Sequence, residues 1–281
     1  MEDRGGGKER RIGWIIVVAI IFGLGIMTIA LLPVFFPSID ASQPEQDTMV
    51  TTSGPQGPVP VFEDTFDTGL SNWSRYGYPL PEIRTDMGNP APSYDCRGDD
   101  LYDSFAISHE RFNLSGGIIY QVDMYANDTR NEGCWVDAFF RIPRHPEGAD
   151  ALIQIVLRPI GPACWGEAPE EIGHGVYDFF ITNESDTYEH HQVIGGPADL
   201  DVGDWHRYTI VVGPDLHVEF YRDGRLLFRP QGTLSANYSA VPQPLYIGAR
   251  SYPDYGPALI DNVRVYSYDQ LELVMAGSAP R

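Results

Sequence analysis

The chain has 281 residues and a formal net charge of −20 at neutral pH. Its first 11 residues hold 4 basic and 3 acidic side chains, so the negative charge lies in the rest of the chain. A surface this acidic excludes nucleic acid as a partner, and the length beyond residue 60 is enough for one sizeable domain with its own core.

Residues 12–36 form an apolar run without a charged side chain. A helix of this length crosses the hydrocarbon core of a bilayer at about 1.5 Å of rise per residue. Basic residues precede the run and none follows it until Arg75, so the positive-inside rule predicts a cytoplasmic N-terminus at 1–11 and an extracellular remainder. The run is long for a signal peptide, and we favour an uncleaved signal anchor in the cell membrane over a cleaved signal peptide or a pilin-like core helix.

Residues 37–60 are rich in Pro, Ser and Thr, which predicts an extended stalk with nothing to bury. Beyond it, short runs rich in Val, Ile, Phe and Tyr alternate with Gly, Pro, Asn and Asp, as strands alternate with turns. These runs are 117–124, 136–142, 151–157, 176–181, 208–212, 216–221, 226–228, 244–247 and 258–266.

The residue pair Asp223-Gly224 supplies the positive-φ positions of a tight hairpin turn. No long segment after residue 36 has a convincing helical period. We therefore predict an all-β ectodomain at 61–267, built as a two-sheet antiparallel sandwich. A weakly structured C-terminal tail at 268–281 follows it.

All three cysteines, Cys96, Cys134 and Cys164, fall in the predicted extracellular part, where disulfides form. One disulfide and one free thiol is the simplest arrangement. Cys134 and Cys164 each precede a tryptophan, and we favour that pair, although the pairing stays open. Asn-x-Ser/Thr sequons, compatible with an exported glycoprotein, occur at Asn72, Asn113, Asn127, Asn183 and Asn237.

Three motifs mark the start, the middle and the end of the predicted domain. They are VFEDTFDTGLSNW at 61–73, GDWHRYTIVV at 203–212 running into the Asp223-Gly224 hairpin, and IDNVRVY at 260–266. In this order and spacing they resemble the concanavalin A-like lectin/glucanase superfamily, which includes laminin-G-like modules and laminarinase-type glycosidases. The resemblance implies a jelly-roll sandwich over the whole ectodomain.

The laminarinase-type enzymes of this superfamily use two carboxylates, which retaining glycosidases hold about 5–5.5 Å apart. On a strand this requires a Glu-x-Asp-x-x-Glu alternation that points the side chains to one face. Gln121-Val-Asp123 lacks both glutamates, Glu167-Ala-Pro-Glu170 is broken by proline, and Glu219 stands alone. The catalytic signature is absent, so we predict that the domain is not an enzyme.

The resemblance also implies a structural calcium ion where the opening and closing strands meet. Asp64 and Asp261 match those positions, and backbone carbonyls and waters would complete the about 6–8 oxygen ligands of calcium. Thr65 stands where glucanases often carry Glu, which departs from the pattern. The alternative is that Asp261 only accepts hydrogen bonds from neighbouring backbone groups.

Sugar sites stack aromatic side chains on sugar rings. Trp73 and Trp205 belong to the motifs above, and we assign them to packing. For each other aromatic residue, half-buried packing competes with ligand contact. The candidates for ligand contact are Trp135, Trp165, Tyr76, Tyr78, Tyr188, Tyr252 and Tyr255.

Together these patterns predict a membrane-tethered, extracellular, non-catalytic module that binds a glycan or surface polymer and holds structural calcium. The rival hypothesis is a structural or assembly subunit of a cell-surface complex or filament that binds protein partners. A glycan-cleaving enzyme is a third, weaker one. Because fold alone does not decide between these functions, the discriminating feature is whether the concave face is a groove lined by exposed aromatic residues or is covered by loops and apolar surface.

Overall fold

The computed structural model describes residues 57–77, 80–95, 104–127, 136–146, 150–159, 175–183, 185–194, 203–251 and 256–278. The predicted membrane segment at 12–36 lies outside these ranges. Within them, no helix is long and apolar enough to cross a bilayer. Contacts divide the chain into Met1–Thr52 and Ser53–Arg281, and all described residues belong to the second unit.

Two antiparallel sheets pack face to face. Sheet A has eight strands in the order β13-β12-β11-β6-β15-β4-β3, with β1 also paired to β15, and sheet B has seven in the order β10-β9-β8-β7-β14-β5-β2. The strands are β1 Phe62–Asp64, β2 Trp73–Tyr76, β3 Glu82–Arg84, β4 Ser93–Asp95, β5 Ser104–Phe112, β6 Ile118–Ala126, β7 Val136–Pro143, β8 Ala151–Pro159, β9 Gly175–Thr182, β10 Tyr188–Ile194, β11 His206–Val212, β12 Val218–Arg222, β13 Arg225–Phe228, β14 Gln243–Ser251 and β15 Ala258–Ser267. A short helix, α1, spans Ala236–Ser239 before β14.

This architecture confirms the predicted two-sheet antiparallel sandwich. Each of the nine apolar runs read from the sequence overlaps a strand. Asp223 and Gly224 join β12 to β13 with φ angles of 48° and 78°, as the hairpin prediction requires.

The core lies between the sheets and follows the two-residue period of the strands. On the central strand β6, Tyr120, Val122 and Met124 point inward and are at most 1% exposed. From sheet B, Phe140 and Phe179 meet them from the other side of the same core.

The segment after β15 is helical, where the sequence predicted a weakly structured tail. A single 3₁₀ turn at Tyr268–Gln270 leads into helix α2 at Leu271–Gly277. Val274 is 2% exposed and packs against the outer face of sheet A, on Ile119 and Tyr266. Because two helical turns bury only a few side chains, the apolar period is too short to be recognised in the sequence.

The two ends of the described domain meet beside this 3₁₀ turn. The backbone N–H of Val59 donates to Oε1 of Gln270 at 2.7 Å, and Nε2 of Gln270 donates to the Val59 carbonyl at 2.9 Å. Next along the chain, the N–H of Val61 donates to the carbonyl of Val265 at 2.7 Å. The N-terminal segment is thus fastened to the last strand and its helical extension.

Candidate functional site

Asp64, one of the two predicted calcium ligands, has a carboxylate that accepts three hydrogen bonds. Oδ1 accepts from the backbone N–H of Phe66 at 2.8 Å. Oδ2 accepts from Nδ2 of Asn72 at 3.0 Å and from the indole Nε1 of Trp73 at 2.8 Å. Since the rings of Phe66 and Trp73 lie in the core, Asp64 ties the opening strand to the interior of the sandwich.

Asp261, the other predicted calcium ligand, lies on β15 opposite Asp123 of β6. Its Oδ2 accepts from the backbone N–H of Asn89 at 2.6 Å, and its Oδ1 accepts from the N–H of Asn262 at 2.7 Å. Burial raises the pKa of Asp261 to about 6, and the nearby charge of Asp123 acts in the same direction. Arg207 holds Asp123 through two hydrogen bonds of 2.8 and 3.1 Å.

These two carboxylates lie on opposite faces of sheet A. Asp64 pairs with Val263, whose side chain is in the core. Asp261 pairs with Asp123, which alternates with the core residues of β6 and so points outward. The structure therefore does not bring Asp64 and Asp261 into one ligand set. N–H groups already occupy both oxygens of each carboxylate, and in the described ranges no group of three or more His, Cys, Asp or Glu residues could hold a metal. Calcium binding stays a prediction.

Several of the other predicted site residues lie outside the described ranges. This holds for Trp135, Trp165, Tyr252 and Tyr255, and for the cysteines Cys96, Cys134 and Cys164. Tyr188 begins β10, but its side chain falls outside the description. These ligand contacts and the disulfide stay predictions. Trp73, by contrast, is 4% exposed in the core, and Trp205 packs on Tyr125 with ring centroids 5.6 Å apart, as the packing assignment expected.

The five sequon asparagines occupy different surroundings. Asn113 and Asn237 are exposed, and Asn127 and Asn183 are partly exposed. Asn72 is also partly exposed, but its amide nitrogen is committed to Asp64. Glycosylation of these residues stays a prediction.

The outer face of sheet B carries a line of three parallel aromatic rings, Tyr76, Phe105 and Tyr246, which we call the aromatic row. The centroids of Tyr76 and Phe105 are 5.3 Å apart at an interplanar angle of 15°. Those of Phe105 and Tyr246 are 5.8 Å apart at 8°. The alternate residues Ala106 and Ile247 are buried in the core, so the aromatic row faces away from sheet A.

Apolar surface extends from the aromatic row across the middle of sheet B. Phe139, Val156 and Phe180, on β7, β8 and β9, continue the same cluster. The guanidinium of Arg141 lies 5.0 Å from the centroid of the Phe139 ring, and its Nε donates to Oε1 of Gln154. A charged group with an amide partner thus borders the aromatic surface.

Gly248 makes this packing of rings feasible. A Cβ placed there would lie 2.7 Å from Cβ of Phe105 and 2.7 Å from Cζ of Phe139. It would also lie 2.4 Å from the carbonyl oxygen of Ser104. Only glycine lets the two rings approach the backbone between them.

Among the described residues of this face, the most accessible aromatic ring is at the edge strand β2. Tyr76 is 46% exposed, whereas Tyr246 and Phe139 are each 5% exposed. Beside Tyr76, the hydroxyl of Ser74 and Nε2 of His109 form a hydrogen-bonding pair 3.1 Å apart. The edge of sheet B therefore combines an exposed aromatic ring with polar groups that can exchange hydrogen bonds with a ligand.

The middle of the outer face of sheet A, around β6, is covered by other parts of the chain. Every residue of β6 is buried, including the outward-facing ones. Helix α2 covers Ile119, Ser278 and Thr209 accept hydrogen bonds from Gln121, and Arg207 covers Asp123. Between the two outer faces, the aromatic row is the better candidate for a binding surface.

Only one member of the aromatic row, Tyr76, was among the aromatic residues singled out from the sequence. Phe105 was missed because none of the nine predicted runs covers its strand, β5. Tyr246 was missed because it lies between two apolar residues in the run 244–247, so the pattern does not show that its side chain faces outward. The sequence does contain a signal for this outer surface. Apolar residues at successive positions of a strand, such as Phe105-Ala106-Ile107, indicate apolar side chains on both of its faces.

Comparisons with known proteins agree with this geometry. The family model Laminin_G_3, described as concanavalin A-like lectin/glucanases superfamily, matches residues 171–270. This chain is similar to that superfamily. Among solved structures, the T. cruzi calreticulin globular domain aligns with a TM-score of 0.53 at 9% identity, over 78% of this chain and 92% of that one. The Botulinum neurotoxin serotype G binding domain aligns with a TM-score of 0.51 at 8% identity, over 78% of this chain.

The alignment with the neurotoxin binding domain spans half of that chain's length. At identities this low, both likenesses show the fold alone. No curated protein matches the sequence. The lectin-like sandwich is supported by the family model and by these structural neighbours.

Proposed function

We propose that the domain is a binding module that takes a carbohydrate or carbohydrate-rich surface polymer on the outer face of sheet B. The aromatic row carries this proposal. The exposed ring of Tyr76, at the end of the row, offers a stacking surface to the C–H-rich face of a sugar, and polar groups beside it orient the hydroxyls. Tyr76, with Ser74 and His109 beside it, supplies both at the accessible edge.

Two further features support a binding role over catalysis. The sequence lacks the Glu-x-Asp-x-x-Glu pattern of the superfamily's enzymes, and the described outer face of sheet B carries aromatic and amide groups. We place the module outside the cell on the membrane segment at 12–36, with a structural calcium ion, on the strength of the sequence patterns alone.

A soluble fragment of residues 53–281, which retains helix α2, tests the proposal on a broad glycan and polysaccharide panel, with calcium and again with EDTA. We expect a ligand on the panel, and Tyr76→Ala should weaken its binding about tenfold by removing the exposed ring. The matched control is Leu226→Ala, because Leu226 is 42% exposed on an edge strand of sheet A. A folded fragment that binds nothing on the panel, or binds equally well without Tyr76, contradicts the proposal.

A structural or assembly role is the second candidate function. The apolar cluster of Phe105, Ile107, Phe139, Val156, Phe180 and Tyr246 spans five neighbouring strands of sheet B, and an extended apolar surface also fits a protein partner. Co-purification of a membrane protein that is lost in Phe105→Asp, together with an empty glycan panel, would favour this role.

A further inference from the structure

A separate cleft of about 400 Å³ lies on the outer face of sheet A, at the opposite side of the sandwich from the aromatic row. Cavities that hold small ligands begin at roughly 300 Å³. Its lining comes from three stretches of chain: residues 211–219, which run from β11 through the turn into β12, the residue that follows β13, and the 3₁₀ turn before α2. Val211 lies on its apolar side and is 3% exposed.

Backbone contacts fix the shape of this cleft before any ligand arrives. In the β11–β12 turn, the N–H of Gly213 donates to the His217 carbonyl and the N–H of Leu216 donates to the Gly213 carbonyl, each at 2.9 Å. Tyr268 is seated against Gly117, where an added Cβ would lie 2.8 Å from its Cβ. Gly117 has a φ of 78°, so this close approach depends on glycine.

The polar side of the cleft is built on the carboxylate of Glu219. It accepts a hydrogen bond from the hydroxyl of Tyr221 and pairs with the guanidinium of Arg229. Burial, with the hydrogen bond to Glu219, raises the pKa of Tyr221 to about 12, so this hydroxyl remains a donor at neutral pH. A carboxylate has about four lone-pair sites, so these two donors leave Glu219 able to accept from a ligand.

Asp215 adds a second carboxylate at the rim. It is exposed, and its Oδ1 accepts from the backbone N–H of His217 at 3.3 Å. The lining of the cleft therefore holds two carboxylates and one guanidinium, and the whole chain carries a net charge of −20. An anionic ligand is disfavoured there, and a cationic one is attracted.

We propose that this cleft binds a hydroxylated amine, of which an amino-sugar unit is the simplest type. Asp215 and Glu219 accept hydrogen bonds from its ammonium and hydroxyl groups, Arg229 donates to its hydroxyl oxygens, and Val211 and Tyr268 contact its apolar ring face. The site is independent of the aromatic row, and it selects by charge where the aromatic row selects by stacking.

Saturation-transfer NMR on the full-length protein tests the site with three probes of one ring size: glucosamine, N-acetylglucosamine and glucuronic acid. Acetylation removes the positive charge, and the uronic acid reverses it. We expect glucosamine to bind about tenfold more tightly than N-acetylglucosamine, because it makes one charged hydrogen bond that the acetylated form cannot make. Glucuronic acid should give no signal.

Two variants locate the binding. Glu219→Gln and Asp215→Asn should each weaken glucosamine binding about tenfold; Asp215 lies in an exposed turn, so its variant keeps the fold even if the first does not. Glu63→Gln is the control, because Glu63 is a carboxylate on the same sheet that pairs with Arg264, and this variant should bind glucosamine as tightly as the natural chain.

Tyr76→Ala should also leave glucosamine binding unchanged, which separates this site from the proposed glycan face. Equal binding of glucosamine and its acetylated form, no binding of glucosamine, or binding that neither cleft variant weakens overturns the proposal.

Discussion

The carboxylate of Asp64 and the indole N–H of Trp73 are joined by a 2.8 Å hydrogen bond that runs from sheet A into the core. The same carboxylate holds Phe66, whose φ of 59° lies in the left-handed region that a bulky residue rarely adopts. A residue matched from the sequence to a metal site thus acts, in the structure, as the anchor of the opening turn.

Asp64→Asn should lower the free energy of unfolding by about 2 kcal/mol. The amide presents N–H groups toward donors that now lack a buried acceptor, which costs more than the loss of one hydrogen bond. Chemical denaturation of the 53–281 fragment measures the change. Asp67→Asn is the matched control, because Asp67 is exposed and bonds only Thr65 among the described contacts; it should change stability by less than about 0.5 kcal/mol. Equal stability of the two variants would contradict the anchoring role.

The pattern of strands could be predicted from the sequence because it depends on local periodicity and turn chemistry. The apolar runs and the Asp223-Gly224 hairpin carry that information within a few residues of chain. The partners of a side chain depend on register instead. Asp261 faces outward with Asp123, and Asp64 faces inward, because of a bulge on β15 between Asp261 and Arg264. The residue pattern of the motif at 260–266 does not predict that bulge.

The candidate site was harder to predict for a related reason. An aromatic residue contributes to a surface only if its strand face is the outer one, and strands β5 and β14 are apolar on both faces. Tyr76 stood out because it lies beside polar residues. Its partners Phe105 and Tyr246 come from sequence positions far away, and only the strand order of sheet B makes them neighbours.

The stability of the domain should depend on pH through Asp261. Its folded-state pKa of about 6 is above the ordinary value near 3.8, so the folded protein binds this proton more tightly than the unfolded chain does. The resulting stabilisation is complete below about pH 4 and is lost as the pH rises through about 6, a change of roughly 3 kcal/mol. Asp123, Arg207 and Arg264 are the charged groups around it.

Asp261→Asn should flatten this dependence. Melting temperatures of the variant and the natural chain are measured in EDTA between pH 4 and 8. The natural chain should lose stability relative to the variant as the pH rises through about 6, because only the natural chain then carries a buried charge at position 261. A parallel pair of curves would contradict the assigned shift. Saturating calcium at pH 7.5 then tests the metal prediction, since a bound ion stabilises only a chain that retains its ligand.

Helix α2 should contribute to stability through Val274. Val274→Ala removes two buried methyl groups from the contact with Ile119 and Tyr266, and we expect a loss of about 1–2 kcal/mol in the free energy of unfolding. The neighbouring Leu273 is 49% exposed, so Leu273→Ala should be nearly neutral by the same denaturation assay. If both variants behave alike, the helix does not pack as described.

Gly248→Ala should disturb the outer face of sheet B. The added Cβ meets the Ser104 carbonyl, the Cβ of Phe105 and the ring of Phe139, so either the backbone or these side chains have to shift. We expect a loss of about 1–3 kcal/mol in stability, and near-ultraviolet circular dichroism should report altered ring packing. Gly116→Ala, which has open space around its Cβ, is the control. An unchanged aromatic spectrum in Gly248→Ala would contradict the tight packing.

The paired hydrogen bonds between Val59 and Gln270 have a mechanical consequence. Tension applied through the chain ahead of residue 57 enters the domain at these bonds and then at the pairing of β1 with β15. Both contacts belong to sheet A and its helical extension. Sheet B, which carries the aromatic row, lies on the other side of the core, so a ligand held there would pull first on a different set of bonds from those that fasten the chain.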